Sequence, residues 1–144
     1  MKVIDLNLLI YAVNKDAPVH TAARVWWEGC LSGNDIVALP WAVILGFLRI
    51  TTSGRIMPKP LNTGQAIGIV HEWLQHPLVV PISPTERHWG ILHRILASLG
   101  TAGNFTMDAH LAALTIEHSA TLYSTDSDFA RFRSLDWVNP LPRQ

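Results

Sequence analysis

Four short apolar runs, each followed by a stretch of helical periodicity, constrain this chain more than anything else in it. The runs are Lys2–Ile4, Ile36–Leu39, Val79–Ile82 and Thr121–Ser124. Helical spacing predicts helices over about 20–31, 40–52, 63–75 and 84–99 and a further one after Thr106 that carries Asp108, with loop and a short helix over 6–13. Strands that alternate with helices demand a parallel sheet covered on both faces. Such a sheet places ligands outside the carboxyl ends of its strands.

The boundaries carry recognisable chemistry. Ser32-Gly33-Asn34-Asp35 is a turn cluster. Pro40 suits the first helical position, where its missing N–H costs nothing. Ser83-Pro84-Thr85-Glu86 has the pattern of a capping box and predicts a helix start there. Gly100 marks a helix end, and Thr106 is a suitable N-cap for the following helix. The stripe Ala22, Val25, Trp26 and Gly29 marks the apolar face of the first long helix, and Trp41, Ile44, Leu45 and Leu48 that of the next. Asp126 to Phe132 predicts a single helical turn, and Trp137 to Leu141 a short edge strand limited by Pro140.

With 144 residues the chain is expected to form one domain over 1–144, large enough to bury a core. Formal net charge is zero, so contact with nucleic acid would have to come from local patches. A single cysteine, Cys30, excludes an internal disulfide and is expected to be buried and inert. The longest apolar run, Trp41 to Leu48, is far too short to span a bilayer, and no secretory signal is visible. A soluble, cytoplasmic protein without membrane contact is expected. His71 and His76, and His88 and His93, are five apart, a poor match to one helix face and no metal-ligand pattern. No phosphate-binding glycine motif occurs.

The aspartates carry the chemistry. Asp5 closes the first strand, Asp108 lies in the first turn of a helix, and Asp126 and Asp128 follow the fourth strand. Taken singly, each has an ordinary structural explanation as a cap or turn residue. If the first and fourth strands are neighbours, however, all four converge at one sheet edge. Several carboxylates in one pocket repel each other, and a hard divalent cation removes that penalty. Mg²⁺ or Mn²⁺ suits oxygen-only ligands and activates water at phosphate. An acid-only cluster therefore fits phosphodiester hydrolysis best. A receiver-like phosphoryl-transfer domain would want a lysine on a late strand, and none follows Lys59.

Four segments carry a family resemblance: VIDLNLLIYA, LPWAVILGFLRITTSGRI, GNFTMDAHLAALTIEHSATLYSTDSDFARF and WVNPL. Together they resemble the PIN-domain ribonucleases, most closely the toxins of VapBC-type toxin–antitoxin pairs. The resemblance spans essentially the whole chain. It implies an α/β/α sandwich with a central parallel sheet, a homodimer, Mg²⁺- or Mn²⁺-dependent cleavage of RNA, and inhibition by a VapB-type antitoxin. The RNA implied is a tRNA or rRNA loop. Asp5, Asp108 and Asp126 match the family's acidic, metal-holding positions, and Asp128 matches an additional acid. Asn7, Asn104 and Thr125 match supporting polar positions. Arg49, Arg55, Arg131 and Arg133 are candidate phosphate contacts, although solvated surface charge explains each one singly. The helix with Trp26 and Trp27 and the region from Ile56 to Trp73 offer an apolar surface for an antitoxin segment.

One acid is missing. Family members usually read L-x-E-F-L-R in the second helix, where this chain reads Leu45-Gly46-Phe47-Leu48-Arg49. Glu28, Glu72, Glu86 and Glu117 all lie elsewhere. A glycine inside a helix costs about 1 kcal/mol relative to alanine, so Gly46 needs a reason. Close helix contact is one, and a vacated acidic position is another. The second implies impaired activity on a retained fold, or an inactive module that only binds antitoxin or RNA.

Overall fold

A computed structural model describes residues 1–142. The chain runs β1 (Lys2–Ile4), α1 (Leu6–Val13), α2 (His20–Leu31), β2 (Val37–Pro40), α3 (Trp41–Thr51), α4 (Thr63–Gln75) and β3 (Val79–Ile82). It continues with α5 (His88–Leu99), α6 (Thr106–Glu117), β4 (Thr121–Tyr123) and β5 (Trp137–Val138). Two 3₁₀ turns, Gly103–Phe105 and Ser127–Arg131, flank α6 and β4. All five strands are parallel, in the order β3-β2-β1-β4-β5. Helices sandwich this sheet, as the β/α alternation requires.

The strand order reverses between β1 and β4, which pair directly through Val3 with Leu122 and Ile4 with Tyr123. That point is the crevice where open α/β sheets bind ligands. β1 and β2 are buried on both faces, with Val3, Ile4, Val37, Ala38 and Leu39 fully covered. α6 is buried nearly all round: Ala109, Leu111, Ala112, Ala113 and Leu114 are all buried. A helix covered on nearly every side belongs inside, and its N-terminal end, with Asp108, emerges at the crevice.

Several boundaries differ from the sequence expectation. Pro40 ends β2 opposite Ile82, and α3 begins at Trp41. No capping box forms at Ser83, and α5 begins at His88. The residues Ser83 to Thr85 stay outside the helix because the Thr85 N–H donates to Glu117 Oε1, and the Thr85 hydroxyl accepts from the Arg87 N–H. A genuine capping box instead starts α4, formed by Asn62 and Gln65. Thr106 is the first residue of α6, not its cap, because the preceding 3₁₀ turn already winds the chain. Its hydroxyl donates to the Gly103 carbonyl.

The buried stripes are also displaced. In α2 the buried residues are Ala23, Trp27 and Cys30, and in α3 they are Val43, Ile44, Phe47 and Thr51. Trp41 and Leu45 are exposed instead. Trp27 and Trp73, expected at a partner surface, meet edge to face in the core with ring centroids 5.4 Å apart. Trp26 stacks on Tyr123. Ile56 and Ile67 do remain exposed. Cys30 is a buried free thiol, and among the described residues no helix is long and apolar enough to cross a membrane.

Candidate active site

Asp5 follows β1 directly and caps α1. Its Oδ1 accepts the Leu6 N–H at 2.7 Å and its Oδ2 accepts the Ser124 hydroxyl at 2.6 Å. Only 9 % of the residue is exposed. Burial pushes its carboxyl above the usual range, the Ser124 and Leu6 hydrogen bonds oppose that, and the Asp126 charge adds to it.

Ser124 is the residue around which the acids are ordered. Its Oγ donates to Asp5, accepts the Asp126 N–H at 3.0 Å and accepts the Asn7 Nδ2 at 3.3 Å. The last strand residue is Tyr123, so Ser124 is the first residue free to turn its side chain into the crevice. Thr125, the expected ordering residue, lines a separate hollow with Tyr11, Val19 and Asn139. Successive residues leaving a strand point to opposite sides, which hands the role to Ser124. The signal was present in the sequence, as a hydroxyl two residues before Asp126.

Asn7 joins the same hydrogen-bond network through Ser124. The Ser124 hydrogen goes to Asp5, so Asn7 must present its NH₂ to Ser124. That leaves Asn7 Oδ1 buried without a partner among the described residues. Asn104 is exposed in the 3₁₀ turn, one helical turn before Asp108.

Across the crevice, Asp108, Asp126 and Asp128 each place a carboxylate oxygen within 4.8 Å of the others. Asp126 Oδ1 accepts the Asp128 N–H at 2.9 Å, which fixes the loop that presents both. Asp128 also meets Arg131 Nη2 at 3.2 Å. Asp108 has its pKa raised to about 6, first by desolvation, then by the charges of Asp126, Asp5 and Asp128, with Arg131 opposing. Asp5 stands outside the tight trio but acts on it electrostatically.

Gly46 lies at this site. It lines a hollow of about 220 Å³ with Asp5, Leu6, Ala42, Arg49, Met107 and Asp108. A Cβ built on Gly46 would stand 2.7 Å from Leu6 Cδ2, so the Leu6 side chain occupies the space that a larger residue would enter. Both explanations of the glycine therefore have a physical counterpart: close contact with α1, and a place beside the acids without a carboxylate. Of the candidate phosphate contacts, Arg49 lines this hollow and Arg131 pairs with its acids. Arg133 lines a different groove, and Arg55 is exposed in the turn after α3.

A second polar cluster escaped the sequence reading. His88 pairs with His110 and not with His93: His88 Nε2 and His110 Nδ1 are 3.0 Å apart. His88 Nδ1 donates to the fully buried Glu117 carboxylate at 3.1 Å, so in neutral His88 the Nε2 accepts from His110 Nδ1. Burial and then His88 hold His110 below the ordinary histidine range. These partners are 22 and 29 residues apart, which no local spacing rule reaches.

The PIN domain family model matches residues 2–135. The chain is similar to ribonuclease VapC37 of Mycobacterium tuberculosis, at 44% identity over 140 residues and 97% of each chain. It is likewise similar to ribonuclease VapC33 of the same species, at 43% identity over 141 residues, 98% of this chain and 99% of the relative. Among solved structures, VapBC2 from Rickettsia felis bound to a promoter DNA fragment superposes with a TM-score of 0.71 at 19% identity. That match covers 96% of this chain and 97% of the other. With its sheet order, its acidic crevice and a family match over nearly its whole length, the chain belongs to the PIN-domain family.

Proposed function

We propose that this protein is the endoribonuclease toxin of a VapBC-type toxin–antitoxin pair, cutting RNA by attack of water on a phosphodiester. The observation that carries the reading is the carboxylate trio of Asp108, Asp126 and Asp128 beside Asp5 at the β1/β4 crevice. Full-length similarity to proteins named as VapC ribonucleases supports it. A tRNA or rRNA loop is the substrate class, because unstacked bases can be splayed into a pocket. A VapB-type antitoxin is the partner, and a homodimer is the assembly.

The donor set fits a hard divalent cation, Mg²⁺ or Mn²⁺. It consists of oxygens alone, burial and then mutual repulsion raise Asp108, and the orphaned Asn7 Oδ1 offers an acceptor to a water beside Ser124. Asp5, Asp108 and Asp126 would hold the ion, with Asp128 beside them. When bound, such an ion supplies neutralisation of phosphate charge and activation of water. The protein's own part is separate. Ser124 locks Asp5 and the Asp126 backbone together, so the two sides of the crevice keep one spacing. Arg131 balances Asp128 and keeps it from swinging outward. Arg49 stands at the rim on the α3 side, suited to a substrate phosphate.

Gly46 lowers the activity, because one fewer carboxylate stands where α3 faces the acids. The same feature favours a second reading, a non-catalytic module that binds antitoxin or RNA. Cleavage of single-stranded RNA with Mg²⁺ or Mn²⁺ separates them. The chain is expected to cut weakly, Gly46→Glu to cut at least tenfold faster (about 1.4 kcal/mol of barrier), and Asp108→Asn not to cut. Without metal, Gly46→Glu should lower stability, since a further carboxylate joins Asp5 and Asp108 and Leu6 must shift, against a gain in helix propensity of at most about 1 kcal/mol. Equal rates with glycine and glutamate would remove Gly46 from the account. Metal-independent RNA binding without cleavage by either chain would establish the second reading.

A further inference from the structure

We propose that the groove between α5, α6 and the segment 131–134 carries the phosphodiester backbone of the RNA strand beyond the acid pocket, with Arg94 and Arg133 as its phosphate contacts. The proposal rests on the ribonuclease reading above and extends it to a surface that the acids do not touch.

Two adjoining hollows, of about 510 and 450 Å³, form the groove. They share Ile95, Ser98, Ile116 and Ser134, so they are one continuous trough. Arg87, just before α5, and Arg94 on α5 line one side, and Arg131, at the end of the 3₁₀ turn, and Arg133 beyond it line the other. Among the described residues no acid lines either hollow. In a chain with zero net charge and eleven basic residues, four arginines on one trough form a local positive field.

The four guanidinium groups are not equivalent. Arg87 donates to the Glu117 carbonyl, and Arg131 pairs with Asp128 while lying over the Phe105 ring. These two are fixed as structure. Arg94 reaches only the Gly90 carbonyl of its own helix, and Arg133 has no carboxylate within ion-pair distance among the described residues. Arg94 and Arg133 are therefore the cations left for a ligand, with the Ser98 and Ser134 hydroxyls beside them. Ile95, Leu99, Ile116 and Phe132 supply apolar contact for a sugar or base.

Continuity with the acid pocket identifies the occupant. Arg131 lines the trough and at the same time touches Asp128, whose carboxylate belongs to the acidic trio. A strand whose scissile phosphate lies at the acids runs past Arg131 into the groove, where the next phosphates meet positive charge. Phosphate contacts of this kind position a strand without reading its sequence. An acidic segment of a protein partner is the competing occupant.

The test compares the full-length protein with its Arg94→Ala/Arg133→Ala double variant. A labelled single-stranded RNA of about twenty nucleotides, and one of about four, are titrated by fluorescence anisotropy at constant calcium and varied monovalent salt. The double variant is expected to bind the long RNA about tenfold more weakly, and its slope of log K against log salt to shrink by about 1.4, near 0.7 per lost phosphate contact on a single strand. Binding of the short RNA, confined to the acid pocket, is expected to change less than twofold. Arg24→Ala, which breaks an exposed pair with Glu28 on α2, should leave both unchanged. Unchanged long-RNA affinity and slope in the double variant, with wild-type binding intact, would overturn the groove and leave the ribonuclease reading standing. Equal losses for both lengths would place the two arginines at the acid pocket and also overturn the groove. A double variant that keeps its RNA affinity but loses that for a glutamate-rich peptide makes the trough a peptide site. No wild-type binding to either RNA would reject both readings.

Discussion

Asp108 holds a charge that the folded chain resists. Its carboxyl titrates near 6, against about 4 for a free aspartate, because burial and three neighbouring aspartates oppose ionisation. Between about pH 4 and pH 6 the folded state therefore binds more protons than the unfolded one. Stability of the metal-free protein should fall as pH rises through that window and level off above it. Asp108→Asn removes the penalty. It should stabilise the metal-free chain at pH 7 by about 1 kcal/mol, the full shift being discounted because the group is partly exposed. Urea unfolding across pH 4–8 measures both, and a D108N curve parallel to wild type at every pH would refute the account. Ser124 acts in the opposite sense. Ser124→Ala leaves a buried Asp5 oxygen and the Asp126 N–H without their partner, so it should cost about 1–3 kcal/mol. Its RNA cleavage should fall as well, because Asp5 and the Asp126 loop lose their common tie.

Individual elements divide the work between scaffold and site. β1 and β4 supply the crevice because they are hydrogen-bonded neighbours, and each is followed by a residue, Asp5 or Ser124, that turns into it. α6 delivers Asp108 from a buried shaft, so the position of that acid depends on how α6 is anchored. The anchor is Glu117 at its far end, which accepts from Thr85 N–H and His88 and whose own carbonyl takes Arg87. This bond set also delays the start of α5. Glu117→Ala should destabilise the fold by about 3 kcal/mol, since it leaves the half-buried His88 and the Thr85 N–H without an acceptor. Thermal denaturation reads the loss. A change under about 1 kcal/mol would mean that the cluster is not an anchor.

For the whole molecule, the proposed metal site would link the acids to the stability of the fold. An ion that binds only the folded state stabilises it by RT ln(1 + [L]/Kd), about 2.7 kcal/mol at one hundred times Kd. Mn²⁺ or Mg²⁺ should therefore raise the melting temperature of the chain, and Asp126→Asn should abolish most of that rise. No shift with either ion in the unsubstituted chain would count against a metal site. What the sequence alone determined is whatever depends on local periodicity and order along the chain. The β/α alternation, the parallel sheet, the positions of Asp5, Asp108, Asp126 and Asp128 at element ends, and the glycine at 46 were all legible. The helix start at 84 and the cap role of Thr106 were misread because a hydrogen bond from a residue 32 positions away, or a turn already wound, overrode the local capping pattern. The buried faces of α2 and α3 shifted by about one residue because the sheet beneath decides which stripe is covered. Only the tertiary structure chose Ser124 over Thr125, joined His88 to His110 and Glu117, set Leu6 against Gly46, and gathered four arginines into one trough. Each of those depends on distant segments meeting, and spacing within a segment carries no information about which distant residue will stand opposite.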